Sequence, residues 1–229
     1  CSSTRAALFT GRNHHAVGIG ATQETPFALP GYSGRLPKSA IALPRILRDN
    51  GYNTMAVGKW HLTPQAEYSS AGPFDRWPLG LGFERYYGFL GAETNHWSPE
   101  LVRDNTPIIP PKNTSQGGAY HLTEDLADQA INMIRDQQQA ASDKPFFLWF
   151  ATGAAHAPHH VTREWFEPYA GKFDEALDRF SDYFKKPTFD PHYSDKERNA
   201  VNNEWSLQKA QDGWNLYALQ GYTANPNNP

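Results

Sequence analysis

"PFFLWFAT", residues 145–152, is apolar at nearly every position and is bounded by Asp143 and Lys144 on one side and Gly153 on the other. A strand with one wet face alternates polar and apolar residues. A continuous run is what a strand covered on both faces needs, so the stretch predicts a central parallel strand. Just upstream, about Thr123 to Gln138 reads as a helix. Glu124 and Asp125 suit its positive end, and Leu126, Ala130, Ile131 and Ile134 form its apolar stripe. The same order recurs earlier in the chain. Ser39–Asn50 predicts a helix capped by Ser39, with Pro44 in its first turns and Gly51 as its stop. "YNTMAV" (52–57) then predicts a short buried strand. Two helix–strand pairs make an α/β sheet the expected fold class.

Around these elements, Thr4–Thr10 predicts a helix ended by Gly11. Residues 21–37 read as loop, punctuated by Pro26, Pro30, Gly31, Gly34 and Pro37, and residues 58–118 as mostly loop, rich in aromatics, Pro and Gly. From about Lys185 the chain turns Asn-rich, loses apolar period and ends in "TANPNNP", which predicts a weakly structured tail. Across 229 residues, 21 Lys+Arg stand against 24 Asp+Glu with no basic block, which disfavours nucleic acid or an anionic membrane as main partner. No apolar run is long enough for a membrane span. A single Cys excludes an internal disulfide and leaves the compartment open.

Two polar clusters follow the two strands: "GKWH" (58–61) and "AAHAPHH" (154–160). In open α/β sheets, ligands bind beyond the carboxyl ends of the strands. Lys59, His61 and His156 are therefore expected along one sheet edge. Cys1 and Arg5 open a helix, whose free N–H groups attract anions. Together these groups describe a pocket for an oxyanion ester. Each also has a plainer reading. A lone Cys is usually a small buried apolar residue. Lys59 and Arg5 would by default be solvated charges, and His61 a core imidazole. The spacing of His156, His159 and His160 admits zinc, although no second ligand cluster accompanies it. Trp60, Trp77 and Trp97 could stack on a ligand ring or simply pack.

Three stretches carry a family resemblance. "CSSTRAALFTGR" (1–12) resembles the sulfatase signature Cys-x-Pro-Ser/Thr-Arg followed by Thr-Gly. "GYNTMAVGKWHL" (51–62) resembles the second sulfatase signature, and "HAP" (156–158) matches the family's His-x-Pro segment. The three stand in the family's order and spacing, and, partly through "GRNHH", "GFERYYGFLGAETNHW" and "HAPHHVTREWFEPYAGKFD", the chain is similar to bacterial arylsulfatases. The resemblance implies an alkaline-phosphatase-like α/β/α sandwich around a mostly parallel sheet, incomplete here. Residues 1–180 would be part of the catalytic domain and 181–229 a divergent tail. It implies a sulfuric ester hydrolase acting on an aryl or sugar sulfate, with Cys1 oxidised to formylglycine by a formylglycine-generating enzyme. Arg5 would support that residue, Lys59 would neutralise sulfate oxygens, His61 would take the proton that triggers sulfate release, and His156 would help protonate the leaving group. Lys59 and His156 would thus bind substrate. A divalent cation, usually Ca2+, would hold the sulfate, with Cys1 as formylglycine among its ligands.

The chain departs from the family in named places. The family's metal ligands lie on a strand before the Cys and well after His-x-Pro, so the other ligands are expected outside this chain, which predicts weak or no activity for the chain alone. Asp49–Asn50 reads as a helix stop rather than a ligand pair, and Asp104–Asn105 as a turn. Ser3 stands where the family has Pro, which predicts poor conversion of Cys1. Competing readings are a phosphodiesterase or phosphonate monoester hydrolase of the same superfamily, and a non-catalytic, degenerate sulfatase-like module.

Overall fold

The computed structural model describes residues 1–113 and 119–172. The expected irregular tail lies outside the described residues. The chain divides into two units, Cys1–Val161 and Thr162–Pro229. Of the second, the described part is a short helix, Arg163–Phe166, and a 3-10 turn, Glu167–Tyr169.

The first unit contains helices α1 (Ser2–Thr10), α2 (Leu43–Asp49) and α3 (Leu122–Ala140). Its strands are β1 (Asn53–Lys59), β2 (Arg85–Phe89), β3 (Leu101–Arg103), β4 (Thr106–Ile108) and β5 (Phe146–Ala151). They form one sheet in the order β4-β3-β2-β1-β5. β1 runs parallel to both β2 and β5, and β3 and β4 add an antiparallel extension. Period-two alternation sends Ala56 into one core, with Phe9 of α1, Trp60 and Phe83, and Met55 and Val57 into another, with Leu122, Leu126 and Met133 of α3. Helices thus cover both faces, and the α/β/α sandwich read from the sequence is the observed architecture.

Several elements differ from expectation. β5 is expected to be central; among the described residues it pairs with β1 at the end of the strand order, with Phe146 and Phe150 exposed. An apolar run reports how many residues lack polar groups, not the strand's place in the sheet. β1, with the milder composition, is the strand buried from Thr54 to Lys59. α2 begins at Leu43, after an extended Ala42, and not at Ser39. A helix starting at Ser39 would place Pro44 beyond its first turn, where the ring clashes with a carbonyl four residues back. Its end is as expected: Gly51 takes φ 89, with Gly51 N–H on Arg48 O (3.0 Å) and Tyr52 N–H on Leu47 O (3.1 Å). On α3 the buried side is Leu122, Asp125, Leu126, Ala130, Met133 and Gln137, while Ile131 is exposed. Asp125 is drawn inward because Tyr87 and Tyr120 both donate to its Oδ2, at 2.6 and 2.9 Å. The loop expected over 58–118 contains β2, β3 and β4. Their runs are three to five residues long and set among Gly and Pro, too short for a period to register. Asp104–Asn105 is the turn between β3 and β4.

Candidate active site

Gly58 lets the end of β1 become a site. It sits opposite Gly88 of β2 and Ala151 of β5 at φ 105, and a Cβ there would lie 1.9 Å from Ala151 O. Tyr86 Oη donates to Gly58 O at 2.9 Å, so the strand is held from its α1 side as well. The next residue, Lys59, is buried, not solvated. Its Nζ lies 3.4 Å from Cys1 Sγ, at the N-cap of α1. Arg5, one turn along α1, reaches across to donate from Nη1 to Lys59 O at 2.7 Å. Both cations therefore serve the junction of α1 with β1. Burial, then the nearby Arg5, lowers Lys59 to about 8, and Glu24 and Glu93 partly offset this. At neutral pH it remains mostly charged.

Cys1 is exposed and its side chain caps nothing. The buried-thiol reading does not hold. His61 is buried and takes φ 59, a left-handed backbone that places its imidazole below α1. Its Nε2 lies 2.7 Å from Glu24 Oε1 and 3.2 Å from Ser2 Oγ, while Nδ1 is buried with no partner. Burial lowers the imidazole to about 4, against the upward pull of Glu24. Glu24 itself sits below the ordinary carboxyl range: desolvation raises it, but its own backbone N–H and His61 outweigh that.

A stability window follows. Between about pH 4 and 6.5 the unfolded chain takes up a proton at His61 that the folded chain refuses, so this residue's contribution rises with pH and levels off above 6.5. The shift corresponds to on the order of 3 kcal/mol. Urea midpoints across this range should climb more steeply for the wild type than for His61→Gln; equal slopes would contradict the burial argument.

His156 follows β5 and is exposed, its Nδ1 2.9 Å from Ala157 O and 3.5 Å from Glu93 Oε2. Glu93 acts electrostatically on Lys59 and so joins the two strand ends. His160 is tied elsewhere: its Nδ1 accepts from His96 N–H at 3.3 Å, and its carbonyl accepts from His96 Nδ1 (3.3 Å) and His121 Nε2 (3.2 Å). Among the described residues no group of three or more His, Cys, Asp or Glu is placed to hold a metal ion, so neither zinc nor a complete calcium site is assembled there. Asp49 is engaged by Arg45 at 2.9 Å. Trp60 and Trp77 are fully buried and pack; Trp97 is partly exposed against His121.

Glu24, Glu93 and Ser2 were not singled out in the sequence. Glu24 lies in the loop "TQETPF" and Glu93 in "GAETNHW", where no periodicity or spacing marks an acidic residue as different from any other loop carboxylate.

A family model described as Sulfatase matches residues 1–216. An uncharacterized sulfatase of Schizosaccharomyces pombe is 30% identical over 198 residues, covering 78% of this chain and 33% of that protein. The N-acetylgalactosamine-6-sulfatase of Canis lupus familiaris is 31% identical over 187 residues, 71% of this chain and 32% of its own. The arylsulfatase of Klebsiella aerogenes is 26% identical, with 75% and 36% covered. The chain thus spans about a third of the length of the curated relatives it matches. Among solved structures, Ps i-CgsB superposes with a TM-score of 0.57 at 25% identity, over 74% of this chain and 38% of that one.

Proposed function

The chain belongs to the sulfatase family, and on that premise we propose that it carries the nucleophile side of a site that hydrolyses sulfate esters. The observation that carries this reading is the 3.4 Å approach of Lys59 Nζ to Cys1 Sγ. It joins a buried cation, an exposed side chain free to be modified, and the unpaired N–H groups of a helix's first turn. A sulfate ester is an anion that gains charge on its bridging oxygen as it breaks. Lys59 neutralises the sulfate oxygens, and the N-terminus of α1 adds its dipole. Arg5 holds the carbonyl of Lys59 and fixes the ammonium against position 1.

Cys1 fits the family's modification because its side chain is exposed and unused in capping. Formylglycine there, made by the formylglycine-generating enzyme, would supply as its hydrate one hydroxyl to attack sulfur and a second whose deprotonation expels sulfate. His61 takes that proton. His156, exposed beside Glu93, gives a proton to the departing alcohol. The described residues do not assemble a cation site, so no step is assigned to calcium.

A cavity of about 440 Å³ adjoins Glu93 and is lined by Tyr68, Phe89, Leu90, Pro99 and Glu100. Its mixed aromatic and apolar wall suits the alcohol part of an aryl or sugar sulfate. The test is a comparison of aryl sulfate with aryl phosphonate hydrolysis. It uses the longest protein that carries this chain, matured with the generating enzyme and supplied with calcium. Sulfate should be preferred at least tenfold; a phosphonate preference would overturn the reading. The 229-residue chain by itself should be weakly active or inactive.

Ser3 sets the yield of the nucleophile. It is the second residue of α1, where Pro is tolerated, and its Oγ donates to Ile19 O at 2.8 Å. Ser3→Pro should raise the fraction of Cys1 converted several-fold, at a stability loss of about 1 kcal/mol from the missing hydrogen bond. Mass spectrometry of the Cys1 peptide reads that fraction directly. An unchanged fraction would show that Ser3 is no obstacle.

A further inference from the structure

The imidazole of His61 meets its surroundings through one nitrogen only. Nε2 has two oxygens within reach, Glu24 Oε1 at 2.7 Å and Ser2 Oγ at 3.2 Å. An ionised carboxylate can only accept, so the single proton of the neutral ring sits on Nε2 and is donated to Glu24. Ser2 Oγ lies at the longer, weaker distance. Nδ1 is then a bare lone pair, buried and without a partner. Buried polar atoms are rarely left in that state, and an unpaired acceptor in a candidate active site is a place for an incoming proton.

We infer that Glu24 is a positioning residue for the proposed sulfatase chemistry: it fixes the proton of His61 on Nε2 and leaves Nδ1 as the basic nitrogen. The step it serves is a single proton transfer. The O–H bond of a reacting hydroxyl breaks, its proton forms an N–H bond at Nδ1, and the electron pair stays on oxygen. The resulting imidazolium is balanced by the carboxylate 2.7 Å away. Burial already holds the ring at about 4 with the carboxylate in place, and without it the ring would be a weaker base still. It is buried, and the nearby cation, Lys59 of β1, disfavours a second positive charge. Ser2, from α1, brings no charge. Glu24 comes from the loop before α2 and is partly exposed, so it adds the missing negative charge without itself being buried.

This inference rests on the sulfate-ester reading for its purpose, but its first readout does not. Ring-nitrogen chemical shifts of 15N-histidine-labelled 229-residue chain report the tautomer and the titration of His61 with no turnover needed. The wild type should show the Nε2–H form. Glu24→Gln keeps an acceptor oxygen but removes the charge, so the His61 midpoint should fall by one pH unit or more; Glu24→Asp should restore part of it. In the active protein, Glu24→Gln should lower kcat at least tenfold with little change in KM. An Nδ1–H tautomer in the wild type would overturn the proposal, as would a midpoint that Glu24→Gln does not move. If no sulfate ester is hydrolysed, the reading of function fails, while the ring shifts still decide the role of Glu24.

Discussion

Lys59→Met is expected to lower kcat/KM for sulfate-ester hydrolysis by about a thousandfold, the scale on which a preorganised electrostatic partner of a transition state is lost. Met fills nearly the same volume at this buried position, so the change removes charge and little packing. It also removes a cation held beside Arg5, a repulsion that burial sharpens. The variant should therefore be at least as resistant to urea as the wild type while losing affinity for inorganic sulfate. The two measurements separate function from folding: a fall in stability with activity kept within tenfold would make Lys59 a structural residue.

Gly58→Ala carries the largest effect on the fold. A Cβ at this position would meet Ala151 O at 1.9 Å, and the residue's φ of 105 is unfavourable for any L side chain. β1 cannot yield without parting from β5 or from β2, where a Cβ added at Gly88 would itself lie 2.0 Å from Gly58 O. The loss should be on the order of 4 kcal/mol or more, enough to abolish folding of a marginal domain. Gly51→Ala provides the control, since its φ is 89 but nothing lies within 4 Å of the added carbon. It should cost about 1–3 kcal/mol from backbone strain alone. Equal losses at the two positions would show that strain, not the close approach of strands, decides the matter. Denaturant midpoints of the two variants give the answer.

Particular residues show where sequence was sufficient. "YNTMAV" announces a buried strand by composition, Gly11 and Gly51 announce helix ends, and the order helix–strand repeated twice specifies an α/β sheet. Placing "GKWH" beyond one strand and "AAHAPHH" beyond another was enough to bring Lys59, His61 and His156 toward the same sheet edge. Geometry supplied what composition could not. Lys59 looks like any surface lysine until Arg5, Cys1 and the wall of β1 are known to enclose it. Strand order among the described residues, β4-β3-β2-β1-β5, depends on which backbones pair, and no side chain encodes that alone. Glu24 reaches His61 across 37 residues of chain through a loop whose path depends on turns at Pro and Gly. Contacts of that kind carry no periodic signal.

The claim that position 1 holds the sulfatase nucleophile is tested most directly by Cys1→Ser. A serine hydroxyl can be sulfated but has no second hydroxyl to drive the sulfate off. Incubated with an aryl sulfate, this variant should release at most one equivalent of phenol, retain the sulfate on the peptide containing residue 1 and stop. The matured wild-type protein should release phenol and sulfate together over many turnovers. Unimpaired sulfate release by Cys1→Ser, or a sulfate found on any other peptide, would contradict it.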